Sequence, residues 1–111
     1  MRRLSNAKFP NSIQLFKFCQ KVISQKSEKK VHDQEIGRIL GFNPSDCSHW
    51  KRGDKSIRSI VSLAKIATHL ETEASLIHDI ATGTVNLDEA LFEYRQLNKI
   101  RSILNSFRNG N

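Results

Sequence analysis

The chain has little of what locks a fold from outside. Its 111 residues include two cysteines, two prolines and one tryptophan. Cys19 and Cys47 are too few for a disulfide framework, and each falls in an apolar helical pattern. Buried free thiols in a reducing cytoplasm are the expectation. No apolar run reaches the roughly 20 residues that a membrane-spanning helix needs, so no membrane partner is expected. Arg2 and Arg3 have no apolar stretch behind them, which argues against a signal peptide. β-branched alternation is scarce, which argues against a sheet. There is no glycine-rich phosphate loop, no His-Glu-x-x-His and no nucleophile elbow. His32, His69 and His78 show no metal-ligand spacing with one another or with the cysteines. No enzyme, no metal and no cofactor is expected.

Basic residues are also missing, but from one stretch only. Between Lys65 and Arg95 there is none, while Glu71, Glu73, Asp79, Asp88, Glu89 and Glu93 fall there. Elsewhere the balance reverses. Arg2 to Lys30 holds eight Lys or Arg against Glu28 alone, and Lys51, Arg52, Lys55 and Arg58 stand against Asp54. The formal net charge is +7. Such a surplus favours a polyanionic partner, and its uneven spread lets one part of the molecule face phosphates while another stays away. The length bounds the chain to one domain, long enough for a hydrophobic core without metals or disulfides.

Helix start and stop signals are frequent, and they predict an all-α chain. Asn11 can cap a first helix that carries Ile13, Phe16, Cys19 or Gln20, and Ile23, and frays from Gln25 onward. A second starts near His32 and Asp33, carries Ile36, Ile39 and Leu40, and stops at Gly41. Asn43 caps a third, Pro44–Lys51, with Pro44 at the first helical position and Gly53 beyond its end. Asp46 sits where it can bond back to the cap, and Phe42 and Cys47 occupy the ends of a hydrophobic staple. Ser56 to Leu70 reads as a fourth helix with Ile60, Val61, Ala64, Ala67 and Leu70 on one face. Thr72 caps a short fifth with Leu76, Ile77 and Ile80, stopped by Gly83. Asn86, with Glu89 three residues on, opens a long sixth that reaches about Phe107. The residues after Phe107 read as a loose tail or a truncation point.

Two short helices on either side of Gly41 make a helix-turn-helix, whose second helix enters the DNA major groove. The requirements of that motif are met position by position. Ile36 and Leu40 turn inward, Gly37 is the small residue at the helix crossing, Gly41 supplies the left-handed turn, Phe42 plugs the corner, and Cys47 and Trp50 anchor the second helix. Trp50 is expected as a core anchor against helices two and four. Asp46 is expected as a capping residue.

Asp33 to Arg52 resembles the helix-turn-helix of the phage repressor and Cro family of DNA-binding proteins. In outline the resemblance covers Ile13 to Ile80 and implies a five-helix repressor-like domain, residues 11–82. A C-terminal helix, residues 86–108, lies outside it. The resemblance places Asn43, Pro44, Ser45, Ser48 and His49 on the groove-facing side. Ser48 and His49 would point toward base edges. Arg52, Lys55, Ser56 and Arg58 would hold phosphates, together with backbone N–H groups at the start of helix two. Three positions depart from the family. Pro44 stands where a long polar base reader is common, Asp33 replaces a frequent Gln or Lys, and Lys51 replaces the more usual Glu.

The function expected from these residues is that of a repressor-like transcription regulator binding double-stranded DNA. A protein-interaction module, an antitoxin-like partner, or the N-terminal part of a longer regulator are the alternatives. The sixth helix bears on the choice. Leu87, Leu91, Tyr94, Leu97, Ile100 or Arg101, Leu104 and Phe107 recur at steps of three and four, a stripe that must be buried. It can fold back on helices one and five, or pair with the same helix of a second chain as a dimerisation element.

Overall fold

The computed structural model describes residues 8–108. The Arg2–Arg3 arm and the last three residues lie outside them. The described residues form six α-helices and no strand: α1 (Pro10–Ser27), α2 (Asp33–Leu40), α3 (Pro44–Arg52), α4 (Ile60–Leu70), α5 (Ala74–Thr82) and α6 (Leu87–Arg108). Among them no helix is long and apolar enough to cross a membrane.

One core joins all six helices. Leu15, Phe18, Cys19 and Val22 of α1 meet Ile36 and Leu40 of α2, Trp50 of α3, Ile66 and Leu70 of α4, Ile77 and Ile80 of α5, and Ala90 of α6. Each end of α3 is fixed locally. Asn43 Oδ1 accepts from the Asp46 N–H at 2.8 Å, and Pro44 starts the helix where its missing N–H costs nothing. Gly53 closes it at φ 79°, in the left-handed region that favours glycine. Its carbonyl accepts from the Phe9 N–H at 2.8 Å, tying the end of α3 to the start of α1. Gly37 permits α2 and α3 to cross, since a Cβ there would stand 2.8 Å from Cys47 Cβ.

Trp50 is fully buried, and α1 forms part of its wall. The indole N–H donates to the Ser12 carbonyl of α1 at 2.9 Å. Phe16 meets the ring edge-on at 5.2 Å, and Phe42 lies 5.3 Å away at a tilt of 59°. Helix one therefore supplies much of the support.

Several boundaries and faces differ from the sequence reading. α1 starts two residues earlier, with Phe9 at the cap and Pro10 leading, so Asn11 is inside the helix. It also runs on to Ser27 instead of fraying at Gln25. α4 starts at Ile60, not Ser56, and Ser59 caps it. Ser56 and Ser59 are equally good caps by chemistry, but Ile57 is drawn into the core and holds the segment before Ser59 out of the helix. The buried face of α4 is accordingly Leu63, Ile66, Ala67 and Leu70. Ile60 and Val61 are left 84% and 72% exposed, and Ala64 is exposed as well. Ile39 also faces solvent. α5 is capped by Glu73, without a side-chain bond. The hydroxyl of Thr72, the expected cap, is buried and makes no hydrogen bond among the described residues.

α6 begins as expected. Asn86 and Glu89 exchange two bonds of 2.9 Å, each backbone N–H donating to the other's side chain. Ala90, Leu91 and Tyr94 are buried. Tyr94 stacks edge-on against Phe18 at 5.9 Å and donates to the Leu70 carbonyl at 3.4 Å. The first half of α6 therefore folds back on the core. From Lys99 to Arg108 every residue is exposed.

Candidate nucleic-acid interface

α3 stands on its two inward residues, Cys47 and Trp50. With those turned in, helical geometry turns Pro44, Ser45, Ser48, His49 and Arg52 outward. Pro44, Ser45, His49 and Arg52 are exposed and Ser48 is half-buried. Ser45 makes no side-chain hydrogen bond among the described residues, so its hydroxyl is available to a ligand.

Three of these residues form one cluster with Asp54. Arg52 donates from Nη1 to Ser48 Oγ at 2.9 Å and from Nε to Asp54 Oδ2 at 3.1 Å. Its Nη2 lies 3.2 Å from His49 Nδ1, and His49 Nδ1 lies 3.8 Å from Asp54. Arg52 thus links the two side chains expected to read bases with the end of the helix. All of these groups remain in contact with solvent.

The remaining expected residues gather elsewhere. Asn43, Lys55, Ser56 and Arg58 line a cleft of about 320 Å³ between the turn before α3 and the start of α4. Asn43 is committed locally: besides accepting from Asp46 N–H, its Nδ2 donates to Asp46 Oδ2 at 3.1 Å. Lys55 pairs with the same carboxyl group, through Oδ1, at 3.0 Å. Arg58 is exposed. The cleft also takes in Lys65, which the sequence reading passed over. Its ammonium lies 5.3 Å over the Phe42 ring and donates to the Gly41 carbonyl at 3.4 Å. No periodicity or spacing marks Lys65, because the cleft exists only after α4 is placed.

Asp33 and Lys51 meet in space. Lys51 Nζ donates to Asp33 Oδ2 at 2.8 Å, and Gln20 Nε2 donates to Asp33 Oδ1 at 2.7 Å. The Lys51 bond, with help from Gln20, holds the Asp33 carboxyl below its ordinary value, against a smaller upward push from burial. The charge of Asp33 that would repel DNA is thereby met by Lys51.

Every acid on this side is therefore answered by a cation: Asp33 by Lys51, Asp46 by Lys55, and Asp54 by Arg52. These pairs are about half exposed, and pairs of that kind contribute at most about 1 kcal/mol. A phosphate can take any of the three cations at small cost. Cys47 is a poor nucleophile here, because burial pushes its thiol up.

No protein-family model matches the chain, and no curated protein and no solved structure matches it.

Proposed function

We propose that this chain is a sequence-specific, repressor-like regulator that binds double-stranded DNA in the cytoplasm. In this reading α1 to α5 are the five-helix domain, and α3 enters the major groove. The observation that carries it is the division of α3. Cys47 and Trp50 bolt one side to the core, while Pro44, Ser45, Ser48 and His49 stand outward between cations. Ser48 and His49 read base edges. Lys51, Arg52, Lys55, Ser56 and Arg58 hold the flanking phosphates and fix the helix in register. The resemblance of Asp33 to Arg52 to the phage repressor and Cro family supports the same assignment. A two-fold pair of chains would present two such helices about one DNA turn apart.

Duplex binding measured by fluorescence anisotropy over a salt series tests the reading. Wild type should bind with an affinity that falls steeply with salt. Arg52→Ala and Lys55→Ala should each weaken binding to every duplex and lower the salt slope by about 1. Absence of binding at low salt defeats the proposal. A second reading, a protein-interaction module, draws on the exposed apolar side chains of α6. It predicts a protein ligand and no duplex binding.

A further inference from the structure

Phe92, Ile100, Ile103, Leu104 and Phe107 are large apolar side chains left in water, and all belong to α6. Their position on the helix is informative. Nine residues turn an α-helix through about two and a half turns. Ile100 lies nine residues after Leu91, and Ile103 lies nine after Tyr94. Leu91 and Tyr94 face the core, so Ile100 and Ile103 point the opposite way. Phe92 and Phe107 fall within about 50° of that direction by the same geometry. α6 thus carries two apolar faces, back to back. The first is buried against its own chain, and the second, running from Phe92 to Phe107, has no partner among the described residues.

The charge of α6 is also divided by position. Asp88, Glu89 and Glu93 occupy its first part, and Arg95, Lys99, Arg101 and Arg108 the remainder. A helix so divided repels a parallel copy of itself and complements an antiparallel one, because the acidic end of each then runs beside the basic end of the other. Antiparallel packing also sets the helix dipoles head to tail. Two copies related by a two-fold axis satisfy this with a single, self-complementary surface.

We infer that the Phe92–Phe107 face of α6 is a homodimer seam, formed antiparallel with a second copy of this chain. Phe92 of each chain lies opposite Phe107 of the other, and Ile100 lies close to the two-fold axis. Ala90, Leu91 and Tyr94 stay in their own chain's core and take no part in the seam. This gives the two-fold arrangement proposed above a named face and direction. It stands on the shape and charge of α6, so it can fail while DNA binding by α3 survives.

Disulfide trapping with sedimentation tests it on the full chain. Phe92→Cys, Phe107→Cys and the double variant change exposed positions, and unchanged helical circular dichroism verifies that they fold. Native Cys19 and Cys47 are buried, and wild type treated with the same oxidant is the control. Wild type should sediment as a dimer at tens of micromolar. The double variant should form a covalent dimer on mild oxidation, while each single variant forms little. Rapid cross-linking of either single variant means a parallel pair and overturns the inference. A wild-type monomer, which leaves the face to some other protein, overturns it too, as does a double variant that does not cross-link. Salt-dependent duplex binding of the same samples reads the α3 proposal separately.

Discussion

α3 and the second half of α6 are both turned toward solvent, yet their exposed faces have opposite chemistry. The outward side of α3 carries hydroxyls, an imidazole and the Arg52 guanidinium, with Lys51 and Lys55 beside it, each cation held by a nearby carboxylate. Its surroundings can satisfy it in water, and a phosphate backbone can compete for the cations. The outward side of α6 carries Phe, Ile and Leu, with Phe107 75% exposed. Water cannot satisfy that face, and neither can DNA; an apolar surface of this size asks for protein. In the proposed reading the difference assigns the two helices to different partners. It also separates two jobs, since α3 depends on the core for its position while the end of α6 touches none of it.

The strongest way to break the comparison is to remove what holds α3. Trp50→Ala deletes a fully buried ring with a hydrogen bond to α1. The expected loss is about 3–5 kcal/mol, a large share of a small domain's stability. Thermal unfolding by circular dichroism should show the helical signal lost at a much lower temperature, and duplex binding should go with it. A variant as stable as wild type would mean that α3 does not depend on this anchor. Gly37→Val should follow, at about 1–3 kcal/mol, because its Cβ would collide with Cys47. Chemical denaturation measures it, and an unchanged midpoint would contradict the close crossing of α2 and α3. Neither substitution touches the exposed face of α6.

Asp33→Asn sharpens the comparison with the smallest effect on folding. Asn keeps an oxygen for Gln20 but frees Lys51. The lost ion pair is exposed, so stability should fall by less than about 1 kcal/mol. Duplex binding should strengthen, and its salt slope should steepen by about 1, as Lys51 becomes available to phosphate. The pH dependence has a definite sign. The folded carboxyl titrates below its ordinary 3.8, so the pair contributes above that value. Its contribution is lost as pH falls through the lowered one. Acid unfolding curves of wild type and Asp33→Asn should therefore differ above pH 3.8, begin to converge as pH falls below it, and meet only below the lowered value. Weaker DNA binding by Asp33→Asn would show that Lys51 does not face the duplex.

The same two helices show what the sequence makes legible. The segment from His32 to Gly53 could be read almost residue by residue, because its constraints are local. Gly41 and Gly53 sit at positive φ, Asn43 bonds three residues ahead, and Pro44 needs no N–H. The side-chain pairs around α3 were not legible. Asp33 and Lys51 are eighteen residues apart, and only the crossing of α2 and α3 brings them together. The start of α4 was misplaced because Ser56 and Ser59 offer the same cap, and the burial of Ile57 decides between them. In α6 the stripe takes in Ile100, Leu104 and Phe107 but omits Phe92 and Ile103, and it merges two faces. Steps of three and four look alike in a sequence, yet each step of three turns the direction back by about 60° and each step of four advances it by about 40°. Three successive threes, from Leu91 through Tyr94 and Leu97 to Ile100, carry the stripe half-way round the helix. What reads as one stripe in the sequence is two faces in the structure.

The central claim is that the outward side of α3 reads DNA sequence, and selection from a random duplex library tests it most directly. Wild type and His49→Ala should be selected in parallel and their enriched duplexes sequenced. Wild type should enrich a common motif, and His49→Ala should relax the preference at one base pair of it, by on the order of 1–3 kcal/mol. A wild-type selection that enriches no motif at low salt, or one that His49→Ala leaves unchanged at every position, would contradict the assignment of this face.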